Sequence, residues 1–289
     1  MLDAYELPQD ARTDEARQSA STVPPSAFDL AEHVDWSPAD AWDPLSEADG
    51  DASDSREVAG AVHGGDRPAS LDECQDGRVT TSIVRHPIFA RVFDRLSGVM
   101  ERDVGEHRQE MLAGLSGRVV EVGAGNGMNF AHYPATVDEV AALEPEAYLR
   151  AKAEQAASRA PVDVTVRAGV ADALPFQAAV FDAVVASLVL CSVSDPAAAL
   201  AEMRRVLKPG GELRFMEHVR SEHPGKARVQ RLSDRSGLWP RLAGGCHCDR
   251  DTVGEITAAG FRIARVGRYD LGPSWILTNP HARGVAALA

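Results

Sequence analysis

Residues 119–128 read Val119-Val120-Glu121-Val122-Gly123-Ala124-Gly125-Asn126-Gly127-Met128, an apolar, β-branched run that breaks into glycine at alternate positions. A strand ending this way turns sharply, and glycine takes positive φ without a steric penalty while letting a ligand approach the backbone. Such a loop belongs at the carboxyl end of a buried parallel strand. The chain around it agrees: from about residue 83, apolar runs bounded by turn residues alternate with helical spacing, the rhythm of repeated strand-helix-strand units. Strands are expected near 118–123, 138–143, 163–167, 181–187, 211–217, 261–267 and 273–278, and helices near 146–158, 196–207 and 250–259. Ile88, Phe89, Val92, Phe93, Leu96 and Met100 recur at three- and four-residue intervals, which predicts a further amphipathic helix.

Charge divides the chain in two. Residues 1–80 hold 19 Asp and Glu against five Arg, so the net charge of −13 resides there, and the remaining 24 acidic and 25 basic residues nearly cancel. Runs such as Asp49-Gly50-Asp51-Ala52-Ser53-Asp54 bury too little apolar surface to offset ordering entropy, which predicts a disordered acidic tail over 1–80 and an ordered domain over 81–289. Within the tail, Phe28 to Trp36 mixes acidic and apolar residues and reads either as a helix for a protein partner or as part of a solvated tail. The near-neutral domain lacks the basic footprint of a nucleic-acid binder, so a small-molecule substrate is expected. No basic, apolar leader opens the sequence, no run approaches a membrane span, and the four cysteines do not form a secreted framework, so a cytoplasmic protein is expected.

The loop is G-x-G-x-G and lacks the third glycine of the dinucleotide fingerprint at its usual place. A dinucleotide needs a pyrophosphate seat at a helix N-terminus. S-adenosylmethionine instead needs room for its methionyl part and an acceptor for its ammonium, a task suited to Glu121. The second strand ends in Glu144-Pro145, 21 residues beyond Gly123, where a carboxylate can accept ribose hydroxyls. Asp172, in Gly169-Val170-Ala171-Asp172-Ala173-Leu174-Pro175-Phe176, can accept from an adenine amino group, with Ala171 or Ala173 offering backbone contacts. Each acid alone could equally be a helix cap or a solvated turn; together they occur in order at strand ends.

The sequence Glu121-Val122-Gly123-Ala124-Gly125-Asn126-Gly127, Glu144, the 172–176 segment, residues 181–190 and Leu207-Lys208-Pro209-Gly210-Gly211 resembles the class I methyltransferases of the type 11 domain, from about Ile83 to the end. The resemblance implies α/β architecture: a Rossmann-like, seven-stranded, mostly parallel sheet with helices on both faces. It implies a cofactor-binding core over about 115–218, with substrate-covering segments at 83–114 and 219–289. It implies S-adenosyl-L-methionine as cofactor, contacted by Glu121, Gly123, Gly125, Asn129, Glu144, Pro145, Asp172, Ala173 and Leu188.

Three further segments, Leu188-Val189-Leu190-Cys191-Ser192-Val193, Phe215-Met216-Glu217-His218-Val219 and Leu242-Ala243-Gly244-Gly245-Cys246-His247, with Trp275 and Pro280-His281-Ala282-Arg283-Gly284, look like the alkyl thiol S-methyltransferases and their bacterial relatives. That branch is often grouped with phospholipid and quinone methyltransferases. Its animal members carry a membrane-anchoring N-terminal segment where this chain has an acidic tail, which argues against a lipid surface. The resemblance implies methyl transfer to a small apolar acceptor, thiol sulfur first, with phospholipid amine, quinone or natural product as alternatives. A non-catalytic cofactor-binding adaptor is the reading of another class.

A thiol need only ionise, whereas a hydroxyl or ammonium needs a base. Glu217, His218 and His247 are the candidate catalytic groups, with His281 in a segment that could cover the pocket. Cys191, among apolar neighbours, reads as a small buried residue. Trp239 and Trp275 read as packing residues or as an aromatic wall. Cys246-His247-Cys248 lacks the second spaced pair of a structural zinc motif, so no metal is expected.

Overall fold

The computed structural model describes residues 87–288. The expectations for the acidic tail, including its disorder and the Phe28–Trp36 partner segment, lie outside the described residues. The elements run α1 (Pro87–Leu112), β1 (Gly117–Val122), a 3-10 turn (Phe130–His132), β2 (Val137–Leu143), α2 (Ala147–Ala157), β3 (Asp163–Arg167), β4 (Phe181–Ser187), α3 (Pro196–Val206), β5 (Leu207–His218), α4 (Pro224–Ser236), α5 (Leu238–Leu242), α6 (Thr252–Ala258), β6 (Phe261–Asp270) and β7 (Pro280–Leu288).

Seven strands form one sheet in the order β3-β2-β1-β4-β5-β7-β6. The first five run parallel, and β7 runs antiparallel to both β5 and β6. The expected Rossmann-like architecture is present. Because side chains alternate along a strand, the central strands feed two cores. Val120, Val184 and Ala186 pack with Leu200, Met203 and Ile256 of α3 and α6, while Val119, Ala183 and Val185 pack with Met111, Leu112 and Ala153 of α1 and α2. Phe130, Phe181 and Phe215 are fully buried, each contributing about 2–3 kcal/mol relative to an exposed ring.

Helix starts follow local chemistry. The Glu146 side chain accepts from Leu149 N at α2, Asp195 accepts from Ala198 N ahead of Pro196 at α3, and Asp251 accepts from Gly254 N at α6.

Several expectations need correction. The last strand is Pro280–Leu288, not 273–278. The apolar Trp275-Ile276-Leu277 run lies in a loop, and Trp275 is exposed rather than packed. The helices α4 and α5 were not foreseen, since the sequence of α4, Pro-Gly-Lys-Ala-Arg-Val-Gln-Arg-Leu-Ser-Asp-Arg-Ser, is too polar to announce itself. The long α1 forms, but Ile88, Val92, Leu96 and Met100 are exposed. Its rotation is set by Ala90, Ser97, Val104, Arg108, Met111 and Leu112, which are buried, so the apolar stripe at its start points outward, apart from Phe89 and Phe93. Residues 208–211 bulge within β5, between the pairs Phe181–Leu207 and Ala183–Glu212.

Candidate active site

The chain leaves β1 toward β2 on one side of the sheet and reaches β4 on the other, a topological switch point where open α/β sheets bind ligands at the carboxyl edge. A cavity of about 400 Å³ lies there, lined by Gly123, Gly125, Glu144, Asp172, Leu188 and Val189, with Phe89 and Phe93 of α1 and Gly244 and Gly245 of the loop after α5. A hollow of about 700 Å³ between α3 and α6 is larger, but no strand end lines it.

The glycine loop needs its glycines. Gly123 and Gly125 hold φ of 69° and 58°, and a Cβ on Gly123 would sit 2.5 Å from Val189 Cγ2. Ala124 N donates to Leu143 O at 2.9 Å, fastening the loop to the end of β2. Asn126 Nδ2 donates to Asp94 Oδ1 and Ser97 Oγ at 3.0 and 2.8 Å, fastening it to α1.

Glu144 Oε2 accepts from Gly125 N at 2.8 Å and Oε1 from Glu146 N at 2.8 Å. A carboxylate has about four acceptor positions, so lone pairs remain for hydroxyls in the cavity. Burial pushes this carboxyl up to about 7, against the pull of the two amides.

Of the residues singled out for the cofactor, the structure places Gly123, Gly125, Glu144, Pro145, Asp172 and Leu188 on the cavity wall. Glu121, Asn129 and Ala173 are not on it. Ala173 faces solvent, its amide turned to Val170 O. Glu121 lies beneath the loop, where it accepts from Asn129 Nδ2 at 2.8 Å and Tyr133 OH at 2.7 Å. Arg108 Nη1 donates to Asn129 Oδ1 at 2.8 Å, so α1 closes the network. Burial pushes Glu121 up to about 7, and the Tyr133 and Asn129 hydrogen bonds and the Arg108 charge oppose it. No local spacing announced Arg108 or Tyr133, which act through Glu121 from 13 residues before it and 12 after.

The candidate catalytic groups diverge as well. Glu217 is fully buried and accepts from the amides of Val189, Leu190 and Cys191 at 3.0, 2.9 and 3.1 Å. It thereby holds the turn after β4, where Leu188 sits at φ 60°, a conformation costing a bulky residue about 1–3 kcal/mol. Burial pushes its carboxyl well up, and the three amides pull the other way. His218 Nδ1 lies 3.6 Å from Cys191 Sγ and 3.4 Å from Cys246 Sγ. Burial, and then His281, push the His218 ring well below the usual imidazole range. His247 is turned away from the cavity, half-exposed, its ring 3.9 Å from Asp234 and its amide donating to Cys191 O at 2.7 Å. His281 donates from Nδ1 to Asn279 O at 2.8 Å, and burial pushes it down to about 4.

A family model described as a methyltransferase domain matches residues 120–215. Human thiol S-methyltransferase TMT1B is 33% identical over 181 residues, 61% of this chain and 73% of that protein. Human thiol S-methyltransferase TMT1A is 31% identical over 210 residues, 68% of this chain and 82% of that protein. This chain is an S-adenosylmethionine-dependent methyltransferase. Demethylmenaquinone methyltransferase of Renibacterium salmoninarum is 42% identical, over 96 residues that are 39% of its length. Among solved structures, the [4+2]-cyclase SpnF superposes with a TM-score of 0.50 at 21% identity, covering 68% of this chain and 81% of the other, a likeness of fold alone.

The methyltransferase's own residues fit its cofactor: a glycine turn at positive φ that is closely packed at Gly123, a carboxylate with free lone pairs at the second strand end, and a cavity of suitable volume. Among the described residues, no helix is long and apolar enough to cross a membrane.

Proposed function

We propose that this methyltransferase transfers the methyl group of S-adenosyl-L-methionine to the sulfur of a small apolar thiol. One observation carries the reading: among the described residues, those lining the cavity include carboxylates but no His, Lys or Tyr. Its carboxylates, Glu144, Glu146, Asp172 and Asp195, come with the strand ends and helix starts of the carboxyl edge. Such a lining suits an acceptor that ionises without a strong base, and a thiol does so far more readily than an alcohol. Phe89, Phe93, Val189 and Val193 give the wall an apolar lining suited to an alkyl or aryl group. The human relatives named as thiol S-methyltransferases support the same acceptor.

S-adenosyl-L-methionine supplies an electrophilic methyl on a sulfonium. The chain's residues bind and orient. Glu144 accepts ribose hydroxyls, and Asp172 accepts from the adenine amino group. The glycine turn admits the methionyl part, with Glu121 shaping that turn from below rather than touching the ligand. Glu217 is a positioning residue, fixing Leu188 to Cys191 at the place where acceptor and methyl must align. Holding two reactants in line supplies much of the acceleration in a displacement of this kind.

The test is turnover of the purified enzyme with a panel of alkyl thiols, quinols and phosphatidylethanolamine. Methylation of thiols at least about tenfold faster than of the other classes is expected. Quinol turnover without thiol turnover would transfer the assignment to the chemistry named for the Renibacterium relative.

A further inference from the structure

Three side chains from segments far apart in sequence meet behind the cavity. Cys191 follows β4, His218 ends β5 and Cys246 lies in the loop after α5, and their ligand atoms all fall within 4.8 Å of one another. Both cysteines are free and buried, and His218 is partly buried. Cys248, which the sequence placed beside Cys246, turns away toward Asp234 Oδ1 at 3.3 Å.

We propose that Cys191, His218 and Cys246 form a binding site for one borderline-soft divalent cation, zinc first. Zinc takes thiolate at about 2.3 Å and imidazole at about 2.0–2.1 Å in a tetrahedron, which puts sulfur and nitrogen about 3.5 Å apart. The two observed separations, 3.6 and 3.4 Å, match that edge. A neutral imidazole Nδ1 is either one donor or one acceptor, so it pairs with one thiol at a time, whereas a cation would draw on all three groups. Two sulfurs and one nitrogen select zinc over the hard, oxygen-seeking magnesium and calcium.

Three protein ligands leave a fourth position, as open zinc sites do. Ser192 Oγ is 3.4 Å from Cys191 Sγ, and Ser192 and Gly245, chain neighbours of the two cysteines, line the cavity. The fourth position therefore belongs to the cavity side, where water or an added sulfur or oxygen ligand completes the shell. The inference stands apart from the choice of methyl acceptor.

The experiment titrates Co²⁺ into the full-length protein under reducing, oxygen-free conditions and follows the spectrum, alongside the zinc content of protein as purified. One equivalent is expected to produce thiolate-to-cobalt charge transfer in the near ultraviolet and intense visible bands of tetrahedral cobalt, both displaced by Zn²⁺. Cys246→Ala and Cys191→Ala should weaken binding by more than the roughly 10–100-fold that loss of an outer partner costs. Cys248→Ala should leave the bands in place. Absence of charge transfer in the unaltered protein overturns the proposal whether or not the variants fold, and so does a band that survives in the Cys191→Ala, Cys246→Ala double variant. Because the readout is spectral, failure of thiol turnover leaves this inference standing, and failure of cobalt binding leaves the thiol reading standing.

Discussion

One wall of the cavity is made from consecutive strand ends, Gly123 and Gly125 after β1 and Glu144 after β2, while a second, adjoining wall draws Phe89 and Phe93 from α1, Leu188, Val189, Ser192 and Val193 from the turn after β4, and Gly244 and Gly245 from beyond α5. The first wall meets its ligand through backbone geometry and one carboxylate, so its chemistry is fixed by a few positions in a short stretch. The second is assembled from three distant segments, one of which, the turn after β4, is held by a buried carboxylate, Glu217, that is not on the cavity wall. Under the proposed function, the cofactor falls to the first wall and the acceptor to the second.

The largest expected effect tests the first wall. Gly123→Ala adds a Cβ 2.5 Å from Val189 Cγ2 at a φ of 69°, and overpacking with backbone strain costs about 2–6 kcal/mol. Cofactor affinity by calorimetry should fall on the order of a hundredfold. Unchanged affinity would mean that the turn does not touch the ligand.

Next comes Glu144→Gln, which keeps the shape and removes the charge. Hydrogen bonds to a charged group contribute about 1.5–3 kcal/mol, so binding should weaken roughly 10–100-fold. The same residue gives the pH dependence. Burial keeps the proton on Glu144 up to about 7, and the ionised form is the better acceptor. Affinity should therefore rise as pH climbs through about 7 and level off above it, with this slope lost in Glu144→Gln. A slope that persists in the variant would assign the titration to another group.

The smallest effect concerns the second wall. Phe89→Ala removes a partly buried ring, with a loss of about 1 kcal/mol of acceptor contact. A several-fold rise in KM for an apolar acceptor is expected, with cofactor affinity within about twofold. Equal changes in both would show that the two walls do not divide the labour.

The parallel core was legible because β-branched runs and punctuating glycines are local signals. The last strand was not. Pro280–Leu288 is rich in Ala and Gly because it lies between β5 and β6 with little room: a Cβ on Gly284 would meet Phe215 Cζ at 2.5 Å. The Trp275-Ile276-Leu277 run, a loop in which Trp275 is exposed, gave the stronger apolar signal and misled. Similarly, the apolar spacing in α1 announced a helix but not its rotation, which the buried Arg108, Met111 and Leu112 fix through contacts with the sheet.

The sequence by itself determined the sheet class, the glycine loop after the first strand and the carboxylate at the second strand end, since each depends on residues within a few positions of one another. Only the tertiary structure decided that Glu121 supports the loop from beneath, that Glu217 is spent on three amides, and that Cys191, His218 and Cys246 converge. Those outcomes depend on which strand lies beside which, and burial then sets how many hydrogen bonds each polar group must find.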